Sequence, residues 1–272
     1  MVDILTLLST SGVRRKLKNA GVTRILVDNT VLAHAITHES AWVDTGRATA
    51  GNLTVDTGYM ARIPVHDEGD GSDAGRSVRY LPGIASLARR GHLRLANSDE
   101  LLDEQWTQPA GRFTGYGYYD HSLFYGVEFE RIRDPYYSIT IGSSSVHFPS
   151  MEEQRKKRLD AKTDDLFWGL VSVLGRKNSQ DAWHITTAER SDCYCFLTMD
   201  FQLIRNMRAQ SNNKIIRALK TQVLTPEKFG QKFSIGAIRP RLFSYHGASF
   251  PVIHNENWPD SKRQKHRRKA LD

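Results

Sequence analysis

Cysteine is scarce: the 272 residues contain two, Cys193 and Cys195. They lie two positions apart on one face of a single apolar run, so they build neither a disulfide framework nor a zinc set. Long apolar runs are missing as well, and none approaches the roughly 20 residues that a membrane-spanning helix needs. The opening residues 1–10, MVDILTLLST, hold a short apolar segment that carries Asp3 and has no basic leader, unlike a secretory signal. These absences point to a chain in a reducing, cytoplasmic setting with no membrane association.

Charge of one sign is not lacking, but it is unevenly placed. Of the net +8, about +5 comes from residues 261–272, where Lys262, Arg263, Lys265, Arg267, Arg268 and Lys269 face only Asp272. Such a tail can hold phosphates without sequence preference, or it is a solvated terminus. The length suffices for one large domain with additions.

The most informative stretch is 181–200, DAWHITTAERSDCYCFLTMD. Residues 182–189 are compatible with a helix, and 193–198 (CYCFLT) have the length and composition of a buried parallel strand. Asp200 follows that strand, and Asp181 stands at the helix start. Earlier, 24–27 (RILV) is another buried-strand signal, followed by Asp28, Asn29 and Thr30. A third strand over 92–96 leads to Ser98, Asp99 and Glu100 at the head of a helix. Asp28, Glu100, Asp181 and Asp200 are distant in sequence, yet a parallel sheet brings them to its carboxyl edge, where α/β proteins build their sites. Each acid taken singly can equally be a helix cap or a surface residue.

This order of elements resembles the PIN-domain nucleases: an acid after the first strand, an acid in the helix after the next, then D-A-x-x-I-x-x-A (Asp181, Ala182, Ile185, Ala188), an apolar strand and T-x-D (Thr198 to Asp200). The segment 223–229, VLTPEKF, is similar to that family's closing strand and turn. The resemblance covers 22–32, 82–105 and 164–229 in pieces. It implies a three-layer α/β/α fold around a mostly parallel sheet, with insertions at about 46–80 and 106–150. It also implies endoribonuclease activity on single-stranded RNA leaving a 5′-phosphate, in the manner of a toxin or defence effector held by an inhibitory or activating protein partner. In the position given to Glu100, Asp99, Asp103 and Glu104 are close enough to serve instead.

The acids themselves set the chemistry. Carboxylates gathered without His or Cys favour a hard cation with oxygen ligands, Mg²⁺ or Mn²⁺, and repel one another without it. Such ions support phosphodiester hydrolysis. Asp28 and Asp200 are expected as the main ligands, with Glu100 and Asp181 completing the site and Thr198 and Asn29 orienting carboxylates or water. A structure-specific DNA nuclease and an inactive RNA-binding protein are the alternatives.

Other segments carry secondary expectations. Residues 4–20 read as one helix ending in basic residues, and a helical pattern over 31–42 would put His34 and His38 one turn apart, a spacing open to a metal but more ordinary on a helix surface. Runs at 59–65 and 77–81 flank the polar turn 67–75 as a hairpin. The aromatic block from 106 to 148 reads mainly as strands, with Tyr116, Tyr118 and Tyr119 as candidates for stacking bases beside Arg112, Arg131 and Arg133. Residues 151–175 read as helical, with Asp164 or Asp165 as a cap or a further metal-site acid. Arg205 and Arg208, in the helix after Asp200, are candidate phosphate contacts.

Overall fold

In the computed structural model, which describes residues 2–116, 120–134, 137–140 and 149–243, the chain opens with α1 (Val2–Ser9) and α2 (Val13–Asn19). The single helix expected over 4–20 is broken because Gly12 adopts a φ of 75°, a left-handed conformation that a continuous helix does not hold. Next come β1 (Arg24–Val27) and α3 (Asn29–His34), then β2 (His38–Ala50) and β3 (Leu53–Pro64). Helices α4 (Asp73–Val78) and α5 (Leu81–Arg89) precede β4 (Arg94–Ser98), which feeds α6 (Asp99–Trp106) and α7 (Gly111–Thr114). After β5 (Phe129–Ile132) the chain runs through α8 (Met151–Asp160), α9 (Asp165–Leu174) and α10 (Ser179–Arg190) into β6 (Cys195–Leu197). It continues as α11 (Phe201–Ala209), α12 (Lys214–Ala218), β7 (Gln222–Leu224), α13 (Pro226–Phe233) and α14 (Pro240–Phe243).

Five strands form one parallel sheet in the order β5-β4-β1-β6-β7. Both faces are buried, as the unbroken apolar runs RILV and CFL require. On one face Ile25, Val27, Leu95, Cys195 and Leu197 pack with Leu17, Ile84, Leu87, Phe229 and Phe233. On the other, Leu26, Ala96 and Phe196 pack with Phe167, Leu170, Ile185 and Leu203. The architecture is therefore α/β, with helices over both faces of a parallel sheet.

From the central β1 the chain builds outward to β4 and β5, and only later fills the opposite side with β6 and β7. Between β1 and β6 the direction of winding switches, and the crevice beyond the carboxyl ends of strands at such a switch is a general ligand position. Register sharpens this. Val27 is level with Leu197, and the ladder continues one step, with the Asp28 amide donating to the Leu197 carbonyl at 2.9 Å and the Thr198 amide to the Leu224 carbonyl at 3.0 Å. Asp28 and Thr198 thus leave the sheet side by side.

The 46–80 region differs from expectation. The hairpin is β2–β3, turned at Gly51 (φ 63°) and Asn52, a two-residue connection of the kind that accepts positive φ, while 73–78 is helical rather than leading into a strand. The helix expected over 31–42 ends at His34, and His38 already belongs to β2. The two histidines therefore share no helix face; buried His38 has its Nδ1 2.9 Å from the Thr37 hydroxyl. The region expected as an insertion at 106–150 contributes β5 to the main sheet. Residues 151–175 split into α8 and α9, because Asp164 accepts the Leu166 and Phe167 amides and starts a new helix. That settles Asp164 as a cap.

Candidate active site

Asp28 lies at the end of β1, buried, and is the residue before α3. Its Oδ2 accepts the Thr198 hydroxyl at 2.6 Å and also the Thr30 hydroxyl, while Oδ1 has no hydrogen bond among the described residues. Burial raises its pKa, against the pull of those two donors. Thr198, fully buried, also accepts the Asp200 amide at 2.9 Å, and Thr30 accepts the Met199 amide at 2.9 Å. Two hydroxyls therefore clamp the ends of β1 and β6 together. Asp200 caps α11, its Oδ1 accepting the Gln202 and Leu203 amides at 2.8 and 2.9 Å, which leaves Oδ2 uncommitted among the described residues.

Asp181 sits in the first turn of α10, largely shielded. Its carboxylate makes no hydrogen bond and no ion pair among the described residues. Burial, together with the charges of Asp200, Asp28 and Glu104, pushes its pKa up to about 6, with His184 pulling the other way. Three of the four expected acids therefore gather in one field.

Glu100 does not join them, and this corrects the expectation. Its carboxylate is fully buried in a two-point pair with the Arg158 guanidinium, 2.7 Å at each oxygen. Arg158 and Arg155 bind Asp103 as well, at 2.9 and 3.0 Å, and Tyr137 donates to that carboxylate at 3.2 Å. Asp99 is held by Arg131 at 2.6 Å and by the Asp134 amide at 2.7 Å. These acids tie α6 to α8 and β5. The next turn of α6 supplies Glu104 instead, whose oxygens accept the Asn29 side-chain amide at 3.0 Å and the Gln180 amide, and lie 2.6 Å from His184 Nε2.

Asn29 thus stands beside an acid, Glu104, and it is fixed from three sides: Nδ2 also donates to the Leu101 carbonyl at 2.8 Å, and Oδ1 accepts from Gln105 at 2.7 Å. His184 is the cation of the cluster. Burial alone would hold its pKa down, but Glu104 and, behind it, Asp28 and Asp181 outweigh burial and lift it to about 9. In return, its charge and the hydrogen bonds from Gln180 and Asn29 hold Glu104 low despite burial. Glu104 was among the alternatives to Glu100 in the sequence, whereas His184, Gln180 and Thr30 were given no role there. The spacing of His184, three residues after Asp181 on one helix, was the available signal.

Against family models, curated proteins and solved structures, the chain has no match.

Arg205 and Arg208 are exposed on α11 and form no ion pair among the described residues. Tyr116 is half-buried, its ring against Gly111; Tyr118, Tyr119 and the basic tail lie outside the described residues. Arg131 is already engaged with Asp99. No helix among the described residues is long and apolar enough to cross a membrane.

The donor set decides which ion would suit this site. Free oxygens of Asp28, Asp181 and Asp200 match a hard cation; the one nitrogen of the cluster without a hydrogen bond among the described residues, His184 Nδ1, belongs to a ring that the neighbouring acids keep protonated, so it offers a metal no lone pair. As they stand, no three His, Cys, Asp or Glu side chains among the described residues form a group that could hold an ion. Mg²⁺ does not require one: it keeps several waters and is commonly taken by one or two carboxylates together with substrate phosphates. The residues fit Mg²⁺ bound in that water-rich manner.

Proposed function

We propose that the chain is a PIN-like, divalent-metal-dependent nuclease that hydrolyses phosphodiester bonds of single-stranded RNA, with Mg²⁺ or Mn²⁺ taken by one or two of Asp28, Asp181 and Asp200 together with water and substrate phosphate. The observation that carries this reading is Asp181: a shielded carboxylate with no hydrogen-bond donor among the described residues, under the repulsion of Asp28, Asp200 and Glu104. Such an arrangement stores like-charge repulsion that an added cation relieves. Its position beyond the switch between β1 and β6 supports a site rather than a surface cluster.

When bound, the ion supplies Lewis-acid chemistry, activating water and neutralising phosphate charge. The chain's own residues do the rest. Thr198 and Thr30 hold Asp28 by Oδ2 and the α11 amides hold Asp200 by Oδ1, so that each acid's other oxygen is oriented but unengaged, and Asn29 and His184 hold Glu104 at the rim. In this reading Glu104, not Glu100, is the fourth acid, orienting water through its remaining lone pairs. Arg205 and Arg208 on the helix after Asp200 supply positive charge for the incoming backbone.

Cleavage of end-labelled single-stranded RNA, single-stranded DNA and branched DNA in Mg²⁺, Mn²⁺ and EDTA, comparing the native chain with Asp28→Asn and Asp200→Asn, tests the proposal. Metal-dependent RNA cleavage abolished in both variants supports it. A preference for branched DNA would move the substrate, and RNA binding without cleavage in any metal would leave a binding protein.

A further inference from the structure

Trp106 ends α6 with 69% of its surface exposed, and its indole makes no ring contact and no hydrogen bond among the described residues. An indole in water is costly apolar surface, and the chain continues past it into polar Thr107 and Gln108 rather than into an apolar patch. Its place in the fold is specific. Glu104 and Gln105, the two residues before it, both bind Asn29. Glu104 also accepts from Gln180, which joins the end of α6 to the start of α10. The 3-10 turn Arg176–Asn178 leads directly into α10, and it carries Arg176 and Lys177, both exposed and neither ion-paired among the described residues. An unpartnered aromatic face two residues after Glu104 and two unpaired cations shortly before Gln180 therefore lie on the two chain segments that the Glu104–Gln180 bond ties together.

We propose that Trp106 is a stacking platform for an unpaired base, with Arg176 and Lys177 holding the adjoining phosphates, so that this rim selects single-stranded nucleic acid. The inference rests on the nuclease reading for the position of the scissile phosphate, but not for the binding itself. A flat indole stacks any base without regard to identity, and cations beside it hold the backbone, the combination used for sequence-tolerant single-strand binding. A duplex offers no free base face, so the same residues gain little from it.

The test is binding of a fluorescein-labelled U12 RNA by the full chain in EDTA, where no turnover occurs, alongside the same strand annealed to its complement. Trp106→Ala is expected to weaken single-strand binding by about 5- to 100-fold, Trp106→Phe to retain most of it, and neither to change duplex binding. Arg176→Glu with Lys177→Glu should weaken binding and flatten its salt dependence. Single-strand affinity unchanged in Trp106→Ala, or single-strand and duplex affinity falling together, overturns the platform. Cleavage assays on the same proteins separate the two ideas: metal-dependent cleavage with unchanged Trp106→Ala affinity sinks only the platform, whereas the expected affinity pattern without cleavage leaves the platform standing and removes the nuclease.

Discussion

His184 and Glu104 form a buried pair, Nε2 to Oε1 at 2.6 Å, that supplies the positive charge inside a cluster of acids. Its strength should show in the pH dependence of stability. The folded-state pKa of His184 is raised to about 9, above that of an unfolded histidine. The pair's contribution is therefore complete below the unfolded value and disappears as pH rises through about 9. His184→Gln should lower unfolding free energy by about 3 kcal/mol at pH 6, with the gap to the native chain narrowing toward pH 10. Urea melts at both pH values check this, and a gap that stays constant with pH would mean that His184 acts by packing alone.

Thr198 offers a separate handle, because its hydroxyl serves Asp28 and the Asp200 amide at once. Thr198→Val keeps the shape and removes both bonds. A loss of about 1–2 kcal/mol in stability is expected, because the Asp200 amide is left unpaired and Asp28 Oδ2 keeps only the Thr30 hydroxyl, with cleavage falling by at least about tenfold as Asp28 and Asp200 lose their relative placement. Thr198→Ser should restore most of both. Turnover unaffected in the Val variant would show that the acids keep their places without the hydroxyl.

Asp181 should behave in the opposite sense to an ordinary salt-bridged acid. Its folded-state pKa is raised to about 6, so the folded state binds the proton more tightly, and stability falls as pH climbs from the unfolded value through about 6. In EDTA at pH 7.5, Asp181→Asn should be more stable than the native chain by about 2 kcal/mol, and equal to it near pH 3.5. Added Mg²⁺ or Mn²⁺ should raise the melting temperature of the native chain much more than that of the variant. A destabilised Asn variant in EDTA would show that the carboxylate is satisfied by a favourable partner.

The sheet and its carboxyl edge were legible because their signals are local and redundant. RILV before Asp28 and CFLT before Asp200 are short apolar runs that suit a strand buried on both faces, and the helix expected after Asp200 is there as α11. The hairpin was misplaced because the polar stretch 67–75 looks like a turn, while the Gly51-Asn52 connection is embedded in a weakly patterned Ala and Thr sequence. Which acid of α6 enters the site was not legible at all. Asp99, Glu100, Asp103 and Glu104 cover more than a turn of one helix, and their sorting depends on Arg131, Arg155 and Arg158, whose reach across the fold is invisible until the helices are packed.

That sorting gives the sharpest contrast between two acids of one helix. Glu100 neutralises buried Arg158, so Glu100→Gln leaves a guanidinium with one remaining carboxylate, that of Asp103. The expected result is a loss of about 3 kcal/mol in stability, with cleavage per folded molecule close to native. Glu104 contacts Asn29, Gln180 and His184 at the rim of the acid cluster. Glu104→Gln keeps most of the hydrogen-bonding shape and removes the charge, so cleavage should drop by about 10- to 100-fold. Because the residue also balances His184, a smaller loss of stability accompanies it. Turnover corrected for the folded fraction, with urea melts on the same samples, separates the two roles. Glu100→Gln losing turnover while Glu104→Gln retains it would return the fourth acid to Glu100 and require Arg158 to release it when substrate and metal bind.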